Sequence, residues 1–130
     1  MVKKLIFVGI LFILIGILLG AFAAHGLKSA GVSENQISSF EVGVRYLFIS
    51  GFGFLAIASL RDHLDFLLKL NFRSILWGTI LFSGSIFLLV LLPLVGVSAQ
   101  KYLGPVTPIG GVIMILGWFS LLVKYTRTLL

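Results

Sequence analysis

Four long apolar stretches alternate with short polar ones along this chain. Leu5–Ala24 contains only apolar and glycine residues, and Leu27–Phe40 then brings in a lysine, a glutamate, an asparagine, a glutamine and four serines. Val42–Leu60 is apolar apart from scattered hydroxyls and one charge, Arg45, and gives way to a charged middle, Arg61–Arg73, reading RDHLDFLLKLNFR. A third apolar run from Ser74 to Leu92 stops at Pro93, and the loop Leu94–Gly104 carries one charge, Lys101. The fourth run ends near Val123, ahead of Lys124 and Arg127. A helix of twenty residues rises about 30 Å, the thickness of the bilayer hydrocarbon. The pattern predicts an all-α integral membrane protein: one transmembrane domain over residues 1–130, a four-transmembrane-helix bundle with spans at about 5–24, 42–60, 74–92 and 106–123.

Local signals sharpen these boundaries. Ser33-Glu34-Asn35-Gln36 matches a capping box, so the second helix should begin near Glu34 and run inward. Thr107 and Pro108 suit the N-cap and first position of the fourth helix. Asp65 and Lys69 stand four apart and make a weak supporting pair. Gly16 and Gly20 form a GxxxG, and small residues let helix backbones approach closely in lipid. The same argument nominates Gly78, Ser83, Gly84 and Ser85 in the third helix and Gly110 and Gly117 in the fourth as packing positions. Lys3 and Lys4 ahead of an apolar core ending Ala21-Phe22-Ala23 also resemble a secretory signal with its cleavage site. The core is longer than such signals carry, which favours a retained span.

Composition agrees with the pattern. Of 130 residues, 59% are hydrophobic and 11% charged, where a soluble domain has about a quarter charged. Mean hydropathy is +1.19. With no cysteine, disulfides, thiol nucleophiles and thiolate metal sites are excluded. The net charge of +6 would suggest nucleic acid as a partner for a soluble protein, but here the basic residues collect at helix ends. With both termini on one side, that side holds Lys3, Lys4, Arg61, Lys69, Arg73, Lys124 and Arg127, against Lys28, Arg45 and Lys101 on the other. The excess predicts a multi-pass plasma-membrane protein with both termini cytoplasmic. Its expected surroundings are the lipid bilayer and a homo-oligomer or membrane-protein partner, with no nucleic acid.

Candidate chemistry is sparse. His25 follows the first apolar run, and Glu41 precedes Arg45 by four residues, the favourable order for a helical ion pair. Arg45 lies about one turn inside an apolar segment, where a charge is costly and marks a functional candidate. The expectation is a polar cluster of His25, Glu41 and Arg45 that ties the first helix to the second, with structural anchoring as the plainer reading. One histidine and one carboxylate fall short of a metal ligand set, and no cofactor is expected. No Asp, Glu, His, Lys or Arg occurs in Ser74–Gln100 or Leu103–Val123. Proton-coupled carriers need such a group, and small multidrug exporters depend on a glutamate in the first span, so that class is set aside.

GAFAAHGLK, FEVGVRY, LFSGS and TPIGG followed by GW, in that order, resemble the domain-of-unknown-function family numbered 423, small membrane proteins related to transmembrane protein 256. The resemblance spans Gly20 to Trp118 and implies four transmembrane helices. It brings no established activity. Where the family pattern has glutamine and then histidine after Tyr46, this chain has Leu47 and Ser50, so a mechanism built on paired histidines would not carry over. Three function classes follow, in order of support: an accessory or structural protein acting through helix contacts, an oligomeric channel or facilitator for a small solute, and an intramembrane enzyme acting on lipid or quinone. Enzymatic activity is the least supported of these.

Overall fold

The computed structural model describes residues 1–64 and 68–130. Its long helices are α1 (Val2–Phe22), α2 (Glu34–Ser59), α3 (Lys69–Leu91) and, after the single turn α4 (Gln100–Leu103), α5 (Val106–Leu129). There is no strand among the described residues. Four helical segments are long and apolar enough to cross a membrane. Each runs beyond its apolar stretch, because backbone hydrogen bonding does not stop at the hydrocarbon edge. The expected Asp65–Lys69 pair involves residue 65, which lies outside the described residues.

The helix ends follow local chemistry. The Ser33 hydroxyl accepts a hydrogen bond from the Gln36 amide at 3.3 Å, so α2 begins at Glu34 as the capping box predicts. The first helical run does not end at Ala24. It continues through a π-helical turn, Ala23–Leu27, which places His25 inside the helical run. Gly31, with φ +74°, then turns the chain in the left-handed region where glycine carries no Cβ penalty. The start of α5 also differs from expectation: Pro105 occupies the N-cap and Val106 opens the helix. The Thr107 hydroxyl is thereby freed from capping and reaches Ser85 on α3 at 2.6 Å.

The closest helix pairs are α3 with α5 and α1 with α2, and α2 with α3 joins the two pairs. Gly16 faces Phe48, Gly20 faces Val44, Gly78 faces Met114 and Gly117 faces Ile75, so each neighbouring pair is antiparallel. Both termini therefore share one end of the bundle. Phe54, Leu5, Phe12 and Ile75 fill the core towards that end, while Phe40, Leu27, Ala23 and Val90 fill it towards the other. Phenylalanine rings link the helices across the core, with centroids 5.9 Å apart for Phe12–Phe54, 5.3 Å for Phe54–Phe72 and 4.7 Å for Phe40–Phe87. Outward-facing Phe7, Leu18, Ile115 and Phe119 are about as exposed as any surface residue, which for a membrane protein means contact with lipid.

Small residues set the helix spacing. The tightest approach of α1 to α2 is at Gly9 and Gly51, a heptad below the GxxxG: a Cβ on either would lie within 3.0 Å of the other's carbonyl oxygen. A Cβ on Gly16 would lie 3.1 Å from the Phe48 ring, whereas one on Gly20 would make ordinary contact with Val44 at 3.5 Å. Between α3 and α5 the backbones themselves meet. A Cβ on Gly110 would lie 2.4 Å from the Phe82 nitrogen, and one on Gly117 would lie 3.0 Å from the Ile75 nitrogen. Gly84 is different, since a Cβ there would meet nothing within 4 Å.

Candidate functional site

His25, Glu41 and Arg45 all sit towards the end of the bundle opposite the termini, and all three are exposed. The α1–α2 register, Gly16 to Phe48 and Gly20 to Val44, places Arg45 across from Leu19 and Glu41 across from Ala23. His25 then lies about 9 Å further along, six residues at 1.5 Å each. Among the described residues, no hydrogen bond or ion pair joins any two of the three. The structure thus leaves the expected cluster unassembled within one chain. Two features account for this. His25 lies exposed in the π-helical turn, beyond the level of Arg45, and Arg45 lies on the α2 face opposite the positions that pack on α1 and α3. Glu41, Arg45, Ile49, Phe52 and Ala56 share that exposed face, while Val44, Leu47, Gly51 and Phe54 are buried.

The buried polar groups lie elsewhere, in a row along α3. Asn71, Thr79 and Ser83 share one helical face with Ile75, at spacings of four and eight residues. The Asn71 amide nitrogen donates to the Gly117 carbonyl at 3.1 Å, and its oxygen accepts from Lys124 Nζ at 2.7 Å. Thr79 donates to the Ile75 carbonyl at 2.8 Å, so the 2.6 Å contact with Ser50 must use the Ser50 proton. Met114 Sδ lies 3.4 Å from the same Thr79 oxygen. One further step along the row, Ser83 donates to the Gly43 carbonyl at 2.8 Å. Ser85 donates to the Phe82 carbonyl at 3.0 Å, which leaves Thr107 as the donor in their 2.6 Å contact.

This row joins α3 to both α2 and α5. No buried side-chain nitrogen or oxygen among the described residues lacks a partner. Hydrogen bonds of this kind between helices in lipid contribute about 0.6 kcal/mol each on average and up to about 2 kcal/mol. None of the buried hydroxyls is bonded to a base, so none is set up as a nucleophile. Of the row, Ser83 and Ser85 were visible in the sequence as packing positions. Asn71, Thr79 and Ser50 were not, although the spacing of Asn71, Thr79 and Ser83 on one helical face was a signal for them.

Several openings interrupt the surface of the described residues. A cleft of about 440 Å³ lies between the start of α2, the end of α3 and the α4–α5 junction. An apolar groove runs between α2 and α5, from Tyr46 past Trp118 and Leu122 to His63 and Tyr125. The groove exists because α5 packs mainly on α3 and meets α2 chiefly where the Trp118 ring covers Gly53.

Residues 19–111 match the family described as Protein of unknown function (DUF423). A UPF0382 membrane protein of Staphylococcus aureus is 34% identical over 121 residues, covering 93% of each chain. The UPF0382 membrane protein YwdK of Bacillus subtilis is 31% identical over 98% of this chain and 99% of its own. A fungal relative, a UPF0382 membrane protein of Schizosaccharomyces pombe, is 35% identical over 85% of this chain and 91% of its own. No solved structure matches. With four helices able to span a membrane and a match that covers most of its length, the chain belongs to the DUF423 family, membrane proteins of unknown function.

Proposed function

We propose that this protein works as a small accessory component of the plasma membrane, through side-by-side contact with another copy or another membrane protein. One observation carries this reading. The interior polar groups find partners inside the bundle, whereas Glu41 and Arg45 stand exposed on one face of α2 with no partner among the described residues. Arg45 lies across from Leu19, within the first apolar stretch, where a charge without a partner is costly. A neighbour that supplies the opposite charge would remove that cost and fix the register of the contact. A channel or an intramembrane enzyme would need a polar path or an activated group, and the buried hydroxyls are committed to the helices around them. Both termini are cytoplasmic in this reading, on the strength of the seven-to-three count of lysine and arginine.

Photo-crosslinking tests the proposal. A photoreactive residue replacing exposed Ile49, one turn from Arg45, should give a protein–protein adduct of defined mass in native membranes. Arg45→Ala should reduce its yield and Arg45→Lys should retain part of it. Adducts with lipid alone, unchanged by either substitution, would overturn the reading.

A further inference from the structure

The cleft at the end opposite the termini combines uncharged polar side chains with an apolar wall. Asn35, Gln36, Ser39 and Gln100 supply polar groups to its outer part, beside Leu89 and Val90, while Val42, Ile86 and Thr107 line its inner part, Thr107 at the level of Ser85. Its volume, about 440 Å³, is within the range that holds a small molecule or part of a lipid. The α1–α2 register sets Ser39 across from His25, at the end of the first apolar stretch, while Val42 lies about 4.5 Å deeper, three residues at 1.5 Å each. An amphiphile entering from the bilayer would meet the side-chain amides of Asn35, Gln36 and Gln100 with its head and Val42 and Ile86 with its chain.

The chemistry of the polar side chains narrows the class. Side-chain amides both donate and accept, and hydroxyl groups ask for that combination. Ser39 spends its proton on the Asn35 carbonyl, and Thr107 spends its own on Ser85. Each keeps an oxygen lone pair for an incoming hydroxyl. The Gln36 oxygen accepts from Ser33 at 3.1 Å, which leaves its amide nitrogen as the donor available. No ionised residue lines the cleft. A phosphate placed there would give up water without gaining a cation. The lining residues, from Asn35 to Thr107, also lie wholly within the stretch that matches the family, whereas the α2–α5 groove extends past it.

We propose that this cleft binds a lipid whose head is uncharged and carries free hydroxyl groups, such as the glycerol of a diacylglycerol or the sugar of a glycolipid. The test uses the full-length protein in phosphatidylcholine nanodiscs containing a diacylglycerol with a photoactivatable acyl chain. Adducts mapped by mass spectrometry should concentrate on Val42, Ile86, Leu89 and Val90, above the level at outward-facing Ile10 and Leu14. Unlabelled diacylglycerol or monoglucosyl-diacylglycerol should compete, and whichever competes better identifies the head. Phosphatidylglycerol should compete weakly. Val42→Trp, which fills the inner part of the cleft, should abolish the concentrated labelling. Gln100→Leu, an exposed change whose helical content and melting should match the unmodified protein, should weaken it about fivefold, the worth of one net hydrogen bond. Labelling spread evenly over the lipid-facing surface, or equal competition by phosphatidylglycerol, would overturn the proposal.

Discussion

Replacing Gly78 with alanine tests how closely α3 and α5 approach. The added Cβ would lie 2.5 Å from the Met114 nitrogen and 2.7 Å from its Cα, where ordinary contact begins at 3.4 Å. Both obstructing atoms are backbone, so no side chain can rotate away. The helices must separate locally by about 0.9 Å, the shortfall between 2.5 and 3.4 Å. That shift would also stretch the 3.4 Å contact between Thr79 and Met114 Sδ, one residue away. Overpacking of this kind costs about 1–3 kcal/mol, and the better helix propensity of alanine returns up to about 1 kcal/mol. The expected net loss is about 1–2 kcal/mol. Gly84→Ala is the matched control: it adds the same methyl to the same helix, where nothing lies within 4 Å. It should leave stability unchanged or raise it by up to about 1 kcal/mol through propensity alone. Unfolding by sodium dodecyl sulfate in mixed micelles, followed by circular dichroism, compares the two directly. A Gly78→Ala protein as stable as Gly84→Ala would refute the close approach of the two backbones.

Asn71→Leu removes the bonds to the Gly117 carbonyl and to Lys124, and should cost about 1–2 kcal/mol in the same titration; no measurable loss would mean that the pairing contributes nothing in the bilayer. Topology can be read with single cysteines, since the chain has none of its own. Cysteines at Ser33 and Ala99 should react with an impermeant thiol reagent applied outside, and one at Thr128 should react only after the membrane is opened. The reverse pattern would invert the orientation.

The number of helices and their approximate extent follow from the sequence alone, because the cost of placing a segment in hydrocarbon depends on its composition and length rather than on its neighbours. The start of α2 was equally accessible: Ser33 and Gln36 satisfy each other within four residues, so no tertiary contact is needed. Helix pairing is a different matter. In water an apolar stripe shows which face of a helix turns inward, but lipid makes both faces of these spans apolar and removes that signal. Glycine spacing nominated Gly16 and Gly20, whereas the tightest α1–α2 contact falls at Gly9 and Gly51, because close approach needs a small residue on both partners at one level. The same condition separates Gly78, which faces the Met114 backbone, from Gly84, which faces open space on the same helix. Arg45 shows the limit most clearly. Its place within an apolar run was legible, but its direction depends on how α1 and α3 pack around α2, and that packing turns it outward, away from both.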